Sequence, residues 1–235
     1  MPGLHIARQL LRMRRDWDRR ARENARHYVV TGQPQWTDEE FFQSGRIALE
    51  EDILNDLENI CQGQRPKDMK VLEIGCGAGR VTRALAQFFG DVYAVDISRE
   101  MVRQAQRAVS DFPNARVFRN NGKDLSALSG PWWRLGTGRP LQVDFAFSSM
   151  VFQHIPSREI IENYAREVHR LLRPGALFKF QVQGCPDVAR EPQNSWVGVS
   201  FTEQEARRMA ERCGFEMRYQ AGAGDQYYWL WFFKK

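Results

Sequence analysis

The sequence predicts an α/β protein: a three-layer sandwich on a seven-stranded, mostly parallel sheet with an antiparallel C-terminal hairpin, preceded by an N-terminal helical lid. Three observations carry this expectation. From Lys70 onward, short apolar runs alternate with segments of helical period, the pattern of parallel strands joined by right-handed crossovers. The last two apolar runs are separated by about seven residues that include Gly222 and Gly224, too few for a helical crossover, so they pair as an antiparallel hairpin. Before Lys70 the apolar residues recur only at helical spacing.

Residues 4–28 read as a helix whose apolar stripe is Ile6, Leu10, Met13, Trp17, Ala21 and Tyr28, ending near Thr31-Gly32-Gln33-Pro34. Asp38 is a candidate cap for a second helix, and Ser44-Gly45 a candidate break. Ile47, Leu49, Ile53, Leu54, Leu57 and Ile60 then support a further helix, stopped by Gly63 and Pro66. Residues 1–65 thus form a helical extension, and residues 66–235 the α/β domain. Val71 to Ile74 is the first strand, followed by a helix over 80–89 with Val81, Leu85 and Phe88 facing inward. Val92 to Val95 is the second strand, ending at Asp96, and a helix spans 99–109. Arg116 to Phe118 and Val143 to Phe147 are the third and fourth strands. A helix over 158–172 turns through Arg173-Pro174-Gly175 into the fifth strand, Leu177 to Val182. Thr202 and Glu205 make a capping box, with Phe201 set to staple against Ala206, and Gly214 is a left-handed cap. Phe215 to Tyr219 and Tyr227 to Phe233 form the closing hairpin.

The composition, 43% hydrophobic and 27% charged over 235 residues, is that of a globular protein. No apolar run approaches the roughly 18–20 residues that span a bilayer, and the start of the chain has no apolar signal core. Cys61, Cys76, Cys185 and Cys213 form no CxxC pair, which disfavours a disulfide scaffold and points to the cytoplasm. The net charge of +5 is concentrated in residues 1–27, where eight arginines face Asp16, Asp18 and Glu23. An arginine-rich segment suits nucleic acid or anionic lipid. The apolar stripe instead favours a docked helix with a solvated basic face and disfavours a transit peptide.

The strongest chemical signal is Glu73-Ile74-Gly75-Cys76-Gly77-Ala78-Gly79-Arg80, where a strand delivers three alternating glycines into a helix start. Glycine permits a tight turn and close backbone approach to a ligand, and the helix that follows offers free N–H groups to a carboxylate. Asp96 closes the next strand, where a ribose diol would sit, a reading set against a plain cap for the helix that follows.

These residues resemble motif I of the class I (Rossmann-like) S-adenosylmethionine (SAM)-dependent methyltransferases, ExGxGxG, and Asp96 resembles the acidic ribose ligand of that family's motif II. Asn121, followed by Gly122, lies where the family often carries an adenine-contacting Asp or Asn. Asp144 to Ser148 resembles its fourth strand, and Leu171 to Gly175 its turn into the fifth. The resemblance covers roughly residues 68–233. It implies SAM as donor, no metal as in most members, and a donor site formed by Glu73, Gly75, Cys76, Gly77, Gly79, Arg80, Asp96, Ile97, Asn121, Gly122 and Ser148. It does not imply an acceptor.

A nicotinamide dehydrogenase is the main rival of another class, but its fingerprint is GxGxxG and no Tyr is followed four residues later by Lys. A non-catalytic SAM-binding module and an RNA or DNA methyltransferase stay open, although no Asn/Asp-Pro-Pro-Tyr/Phe motif or Pro-Cys nucleophile occurs. The function expected is methyl transfer to an oxygen or nitrogen of a small molecule. Methyl transfer from an activated donor mainly needs alignment, and a hydroxyl or protonated amine acceptor also needs a proton removed. His154, just after the fourth strand at the ligand-binding edge, is the candidate general base, read against a purely structural histidine; Gln153 lies beside it. His169 reads as a surface residue. Trp132-Trp133 and Trp196 are candidates for a substrate wall, a dimer contact or plain core, and the oligomeric state stays open. Tyr28 and the Ser44-Gly45-Arg46 break are candidates to close over the donor.

Overall fold

In a computed structural model, which describes residues 2–128, 141–187 and 195–235, seven strands form one sheet in the order β3-β2-β1-β4-β5-β7-β6. They are β1 Lys70–Ile74, β2 Asp91–Asp96, β3 Ala115–Arg119, β4 Val143–Ser148, β5 Leu172–Val182, β6 Phe215–Ala221 and β7 Tyr228–Lys234. The first five are parallel, and β7 runs antiparallel to both β5 and β6. The order reverses between β1 and β4, so their C-terminal ends open a crevice at the switch point. Trp132-Trp133 lies outside the described residues.

The strands are apolar on both faces because helices cover both. One face, with Leu72, Val95, Phe178 and Phe180, packs on Ile161, Tyr164 and Val168 of α6 (Arg158–Leu171) and Ala206 and Met209 of α7 (Glu203–Arg212). On the other, Val71, Phe145, Phe147 and Leu177 pack on α2 (Asp38–Asp52), α3 (Leu57–Cys61) and α4 (Arg80–Phe88). On that side Ala94 and Val117 meet α5 (Arg99–Ala108). The capping box of Thr202 and Glu205 forms, and Gly214 takes φ +83°.

Three local expectations change. Thr37, not Asp38, caps α2, through a capping box with Glu40. Ser44-Gly45 does not break the helix: α2 runs on because Gly45 packs on the backbone of α4, where an added Cβ would lie 2.1 Å from the Arg80 carbonyl oxygen. The single helix expected through Ile60 divides after Asp52, with a 3-10 turn at Leu54–Asp56 before α3. That bend brings the Asp52 carbonyl (2.5 Å) and Asp56 Oδ2 (2.9 Å) to the buried Lys179 ammonium, and Asp56 Oδ2 also accepts from Trp231 Nε1.

The first helix, α1 (Pro2–Val29), lies over the open ends of the strands and bends at Asn24, which is extended (φ −167°, ψ 84°). The Asn24 side chain bridges the bend, accepting from His27 N–H and donating to the Pro34 carbonyl. Leu10 and Met13 join the main core, and Ala21 and Ala25 pack with Ala78 and Met101. Asp18 Oδ1 accepts from Ser98 Oγ (2.7 Å) and Glu100 N–H (3.3 Å), fastening α1 to the start of α5. Arg8, Arg12, Arg15, Arg19 and Arg22 are exposed. Arg14 and Arg20 turn inward instead, to the Asn121 carbonyl and to Ser195. Among the described residues no helix is long and apolar enough to cross a membrane, and the four cysteines are free.

Candidate functional site

A cavity opens at the C-terminal ends of β1, β2 and β4 beneath α1, at the switch point where open α/β sheets hold their ligands. One half is built by the glycine loop. Gly75, Gly77 and Gly79 all have positive φ (78°, 52° and 88°), a conformation that side chains resist. There is also no room for side chains. A Cβ on Gly75 would lie 2.2 Å from Val151 Cγ2, and one on Gly77 would lie 2.7 Å from Val29 Cγ2. The loop is a cradle between β1, the turn after β4 and the end of α1.

Asp96 and Glu73 edge this half. Gly77 N–H donates to Asp96 Oδ2 (2.9 Å) and Ser98 N–H to Oδ1 (2.8 Å), so the carboxylate is aimed by two amides. Burial pushes its pKa up to about 6 against those two bonds. Glu73 is buried, its Oε2 accepts from Thr82 Oγ1 (2.6 Å), and burial pushes it up to about 7. Arg80, also buried, donates to the Ser44 carbonyl. Cys76 and Ile97 line the same half.

Four expected residues do not line the cavity. Asn121 is spent on a turn: its Nδ2 donates to Asp124 Oδ1 (2.7 Å) and its Oδ1 accepts from Lys123 and Asp124 N–H. The preceding Asn120 lines it instead, its Nδ2 donating to the Tyr164 phenol oxygen Oη at 2.7 Å. Gly122 packs beneath Ile97, where a Cβ would lie 2.5 Å from Ile97 Cδ1, and Gly79 faces α5. Ser148 is fully buried and donates to the Ile74 carbonyl, while Ser149 and Met150 reach the cavity. Met150 has φ 56°, uncommon for a side-chain-bearing residue, and its N–H is held by Gln181 Oε1 (2.7 Å).

His154 does line the cavity, but its chemistry is not that of a free base. Its Nδ1 donates to the Trp196 carbonyl at 2.5 Å, which leaves the lone pair on Nε2, 3.4 Å from Gln153 Nε2. Burial, and then the nearby Arg20 charge, lower its pKa to about 4. The imidazole is neutral, weakly basic and edge-on to Trp17 (5.3 Å between ring centroids). Trp17, Tyr28, Trp196 and Tyr227 form the aromatic part of the wall, with Gln153 and Gln226. They come from α1 and from three separate turns, so no contiguous motif announces them. Trp17 was visible only as part of a helical stripe and Tyr227 as a strand start, whereas Tyr28 was a candidate to close over the donor and Trp196 a candidate substrate wall.

A family described as a methyltransferase domain matches residues 71–175. A biotin biosynthesis bifunctional protein (BioCD) of Bordetella avium is 38% identical over 112 residues, 47% of this chain and 21% of that protein. A ribosomal RNA small subunit methyltransferase A of Rubrobacter xylanophilus is 32% identical over 102 residues, 43% of this chain and 38% of that protein. The chain thus spans well under half the length of either relative. Among solved structures, magnesium protoporphyrin IX methyltransferase (ChlM) of Synechocystis with bound SAM has a TM-score of 0.65 at 17% identity, over 97% of both chains. The N-methyltransferase NodS of Bradyrhizobium japonicum, with S-adenosylhomocysteine (SAH), has a TM-score of 0.65 at 14% identity, over 95% of this chain and 98% of that one. These two likenesses are of fold.

Proposed function

We propose that this chain, a member of the class I SAM-dependent methyltransferase superfamily, transfers the methyl group of SAM to an oxygen or nitrogen of a small-molecule acceptor. The observation that carries the reading is the cradle: three positive-φ glycines with no room for a Cβ, beside an aspartate aimed by two backbone amides. In this reading Glu73, Gly75, Cys76, Gly77, Gly79 and Arg80 form or support the donor loop, Asp96 and Ile97 meet the ribose, and Asn120 takes the adenine-side place expected of Asn121. Gly122 and Ser148 act behind the surface, through Ile97 and Ile74. Bound SAM would supply an electrophilic methyl on a sulfonium, so the protein's part is alignment and exclusion of water. Residues 1–65 serve as lid and support, and the free thiols suit a cytoplasmic protein.

RNA methylation is the second reading, favoured by the five exposed arginines on α1 and by the rRNA methyltransferase relative. The test is methyl transfer from labelled SAM to fractionated metabolite and RNA pools. Label in a metabolite fraction is the expected result. Label confined to RNA would replace the first reading with the second, and SAM binding without label in any pool would indicate a binding module.

A further inference from the structure

The aromatic half of the cavity has its own chemistry. The charged residues lining the cavity, among those described, are Glu73, Arg80 and Asp96, each engaged by Thr82, the Ser44 carbonyl, or the Gly77 and Ser98 amides. The aromatic half presents Trp17, Tyr28, Trp196 and Tyr227, with Trp17 and Trp196 ring centroids 6.3 Å apart. Behind that pair sits Arg20, 7% exposed, its guanidinium carbon 4.8 Å from the Trp17 centroid and 5.0 Å from that of Trp196. It is fixed there by the Ser195 carbonyl (3.3 Å) and Oγ (3.1 Å), and Ser195 Oγ in turn donates to Asp16 Oδ2 (2.7 Å).

Aromatic walls alone would welcome a cation. Here a guanidinium already occupies the cation–π position of both indoles, so a second cation meets repulsion. An aliphatic amine is protonated at neutral pH, with a pKa near that of lysine (~10.4), and must lose that proton before it can attack. His154 is a poor acceptor for it: Nδ1 is committed to the Trp196 carbonyl and burial lowers the pKa to about 4. A phenol, with a pKa of about 10, meets the same difficulty.

We propose that this half selects a flat, uncharged aromatic acceptor whose nucleophile is an aryl-amine nitrogen, and that Arg20 is the positioning residue that rejects cationic amines. The inference rests on the methyl-transfer reading. The nitrogen lone pair forms the N–CH₃ bond as the S–CH₃ bond breaks with its electron pair to sulfur, leaving a neutral thioether. The arylammonium product is a strong enough acid to release its proton to water, so no protein base is needed.

The full-length protein is tested with SAM and four probes on one ring system: 2-naphthylamine, 2-(2-naphthyl)ethylamine, 2-naphthol and 2-naphthoate. Methyl transfer is followed by label, probe binding by quenching of tryptophan fluorescence with SAH present, and SAH binding by calorimetry. Naphthylamine is expected to exceed each of the others in kcat/KM by about tenfold or more. Arg20→Gln should shrink the arylamine-to-ethylamine ratio about tenfold while SAH affinity stays within about twofold. Arg20→Lys, which keeps the charge, should keep the rejection of the ethylamine. If SAH binds but the ethylamine, naphthol or naphthoate is preferred, or no probe binds, the inference falls and the methyl-transfer reading stands. An Arg20→Gln variant that loses SAH and all probes alike would make Arg20 purely structural. If SAM and SAH do not bind at all, the broader reading fails first.

Discussion

The two halves of the cavity are built on opposite principles. In the half proposed to hold the donor the backbone does most of the shaping: glycines bring the chain close, and the side chains that remain are carboxylates held by amides or a hydroxyl. In the aromatic half side chains do nearly all of it, and their positions depend on one another through Arg20, Ser195 and the His154–Trp196 contact. A backbone-built site tolerates almost no change at its glycines. A side-chain-built wall can be recut by substitution while the fold persists, which suits a scaffold whose acceptors differ.

The sharpest break of the donor half is Gly75→Ala. It places a Cβ 2.2 Å from Val151 Cγ2 at φ +78°, and donor affinity measured by calorimetry should fall by at least about 100-fold. Val151→Ala in the same chain should recover only part, because the positive φ remains. A Gly75→Ala protein that binds donor normally would show that the loop is not the cradle described.

Next in size is Glu73→Gln. Burial raises the Glu73 pKa from an ordinary value near 4.5 to about 7, so between those values the folded ligand-free protein binds more protons than the unfolded chain. Stability from this group therefore falls as pH rises from about 4.5 to 7, and above that window ionised Glu73 costs on the order of 3 kcal/mol. Thermal melts should show wild type losing ground to Glu73→Gln from pH 5 to pH 8. A flat difference would mean that Thr82 already keeps the carboxylate comfortable.

Asparagine substitutions sharpen the boundary between the halves. Asn120→Ala should weaken SAH binding by about tenfold, the scale of one hydrogen bond plus its packing. Asn121→Ala, whose side chain serves the turn with Asp124, should weaken it less than about threefold. The reverse ranking would restore the adenine-side role to Asn121. This pair also marks how far the sequence can be read. The strand-to-loop junctions at Glu73–Arg80 and Asp96 were legible because a contiguous pattern encodes them, and so were all seven strands. Whether residue 120 or 121 faces inward depends on where β3 ends, a boundary that periodicity places only to within a residue or two. The aromatic wall was legible only in part, at Tyr28 and Trp196: its members are far apart in the chain, and Trp17 looked like any core residue of an amphipathic helix. Gly45 was misread as a helix break because its reason is a tertiary contact with Arg80.

The smallest expected effect concerns the basic face of α1. Replacing Arg8, Arg12, Arg15, Arg19 and Arg22 together with Gln should leave small-molecule methylation within about twofold, since these side chains point away from the cavity. If the wild type instead binds RNA with a steep salt dependence that this variant loses, α1 is a nucleic-acid arm. His154→Ala separates two roles in the same assay: a general base would contribute about 10²- to 10⁴-fold in kcat, whereas the neutral, committed imidazole described here should cost less than about tenfold, expressed mainly in acceptor KM.

The central claim, that the cradle and Asp96 hold SAM, is tested most directly by calorimetric titration of SAH and of NAD into the wild type and Asp96→Asn. The account predicts one SAH site per chain, roughly 10- to 100-fold weaker in the variant, and no measurable NAD binding. SAH binding unchanged by Asp96→Asn, or NAD bound more tightly than SAH, would contradict it.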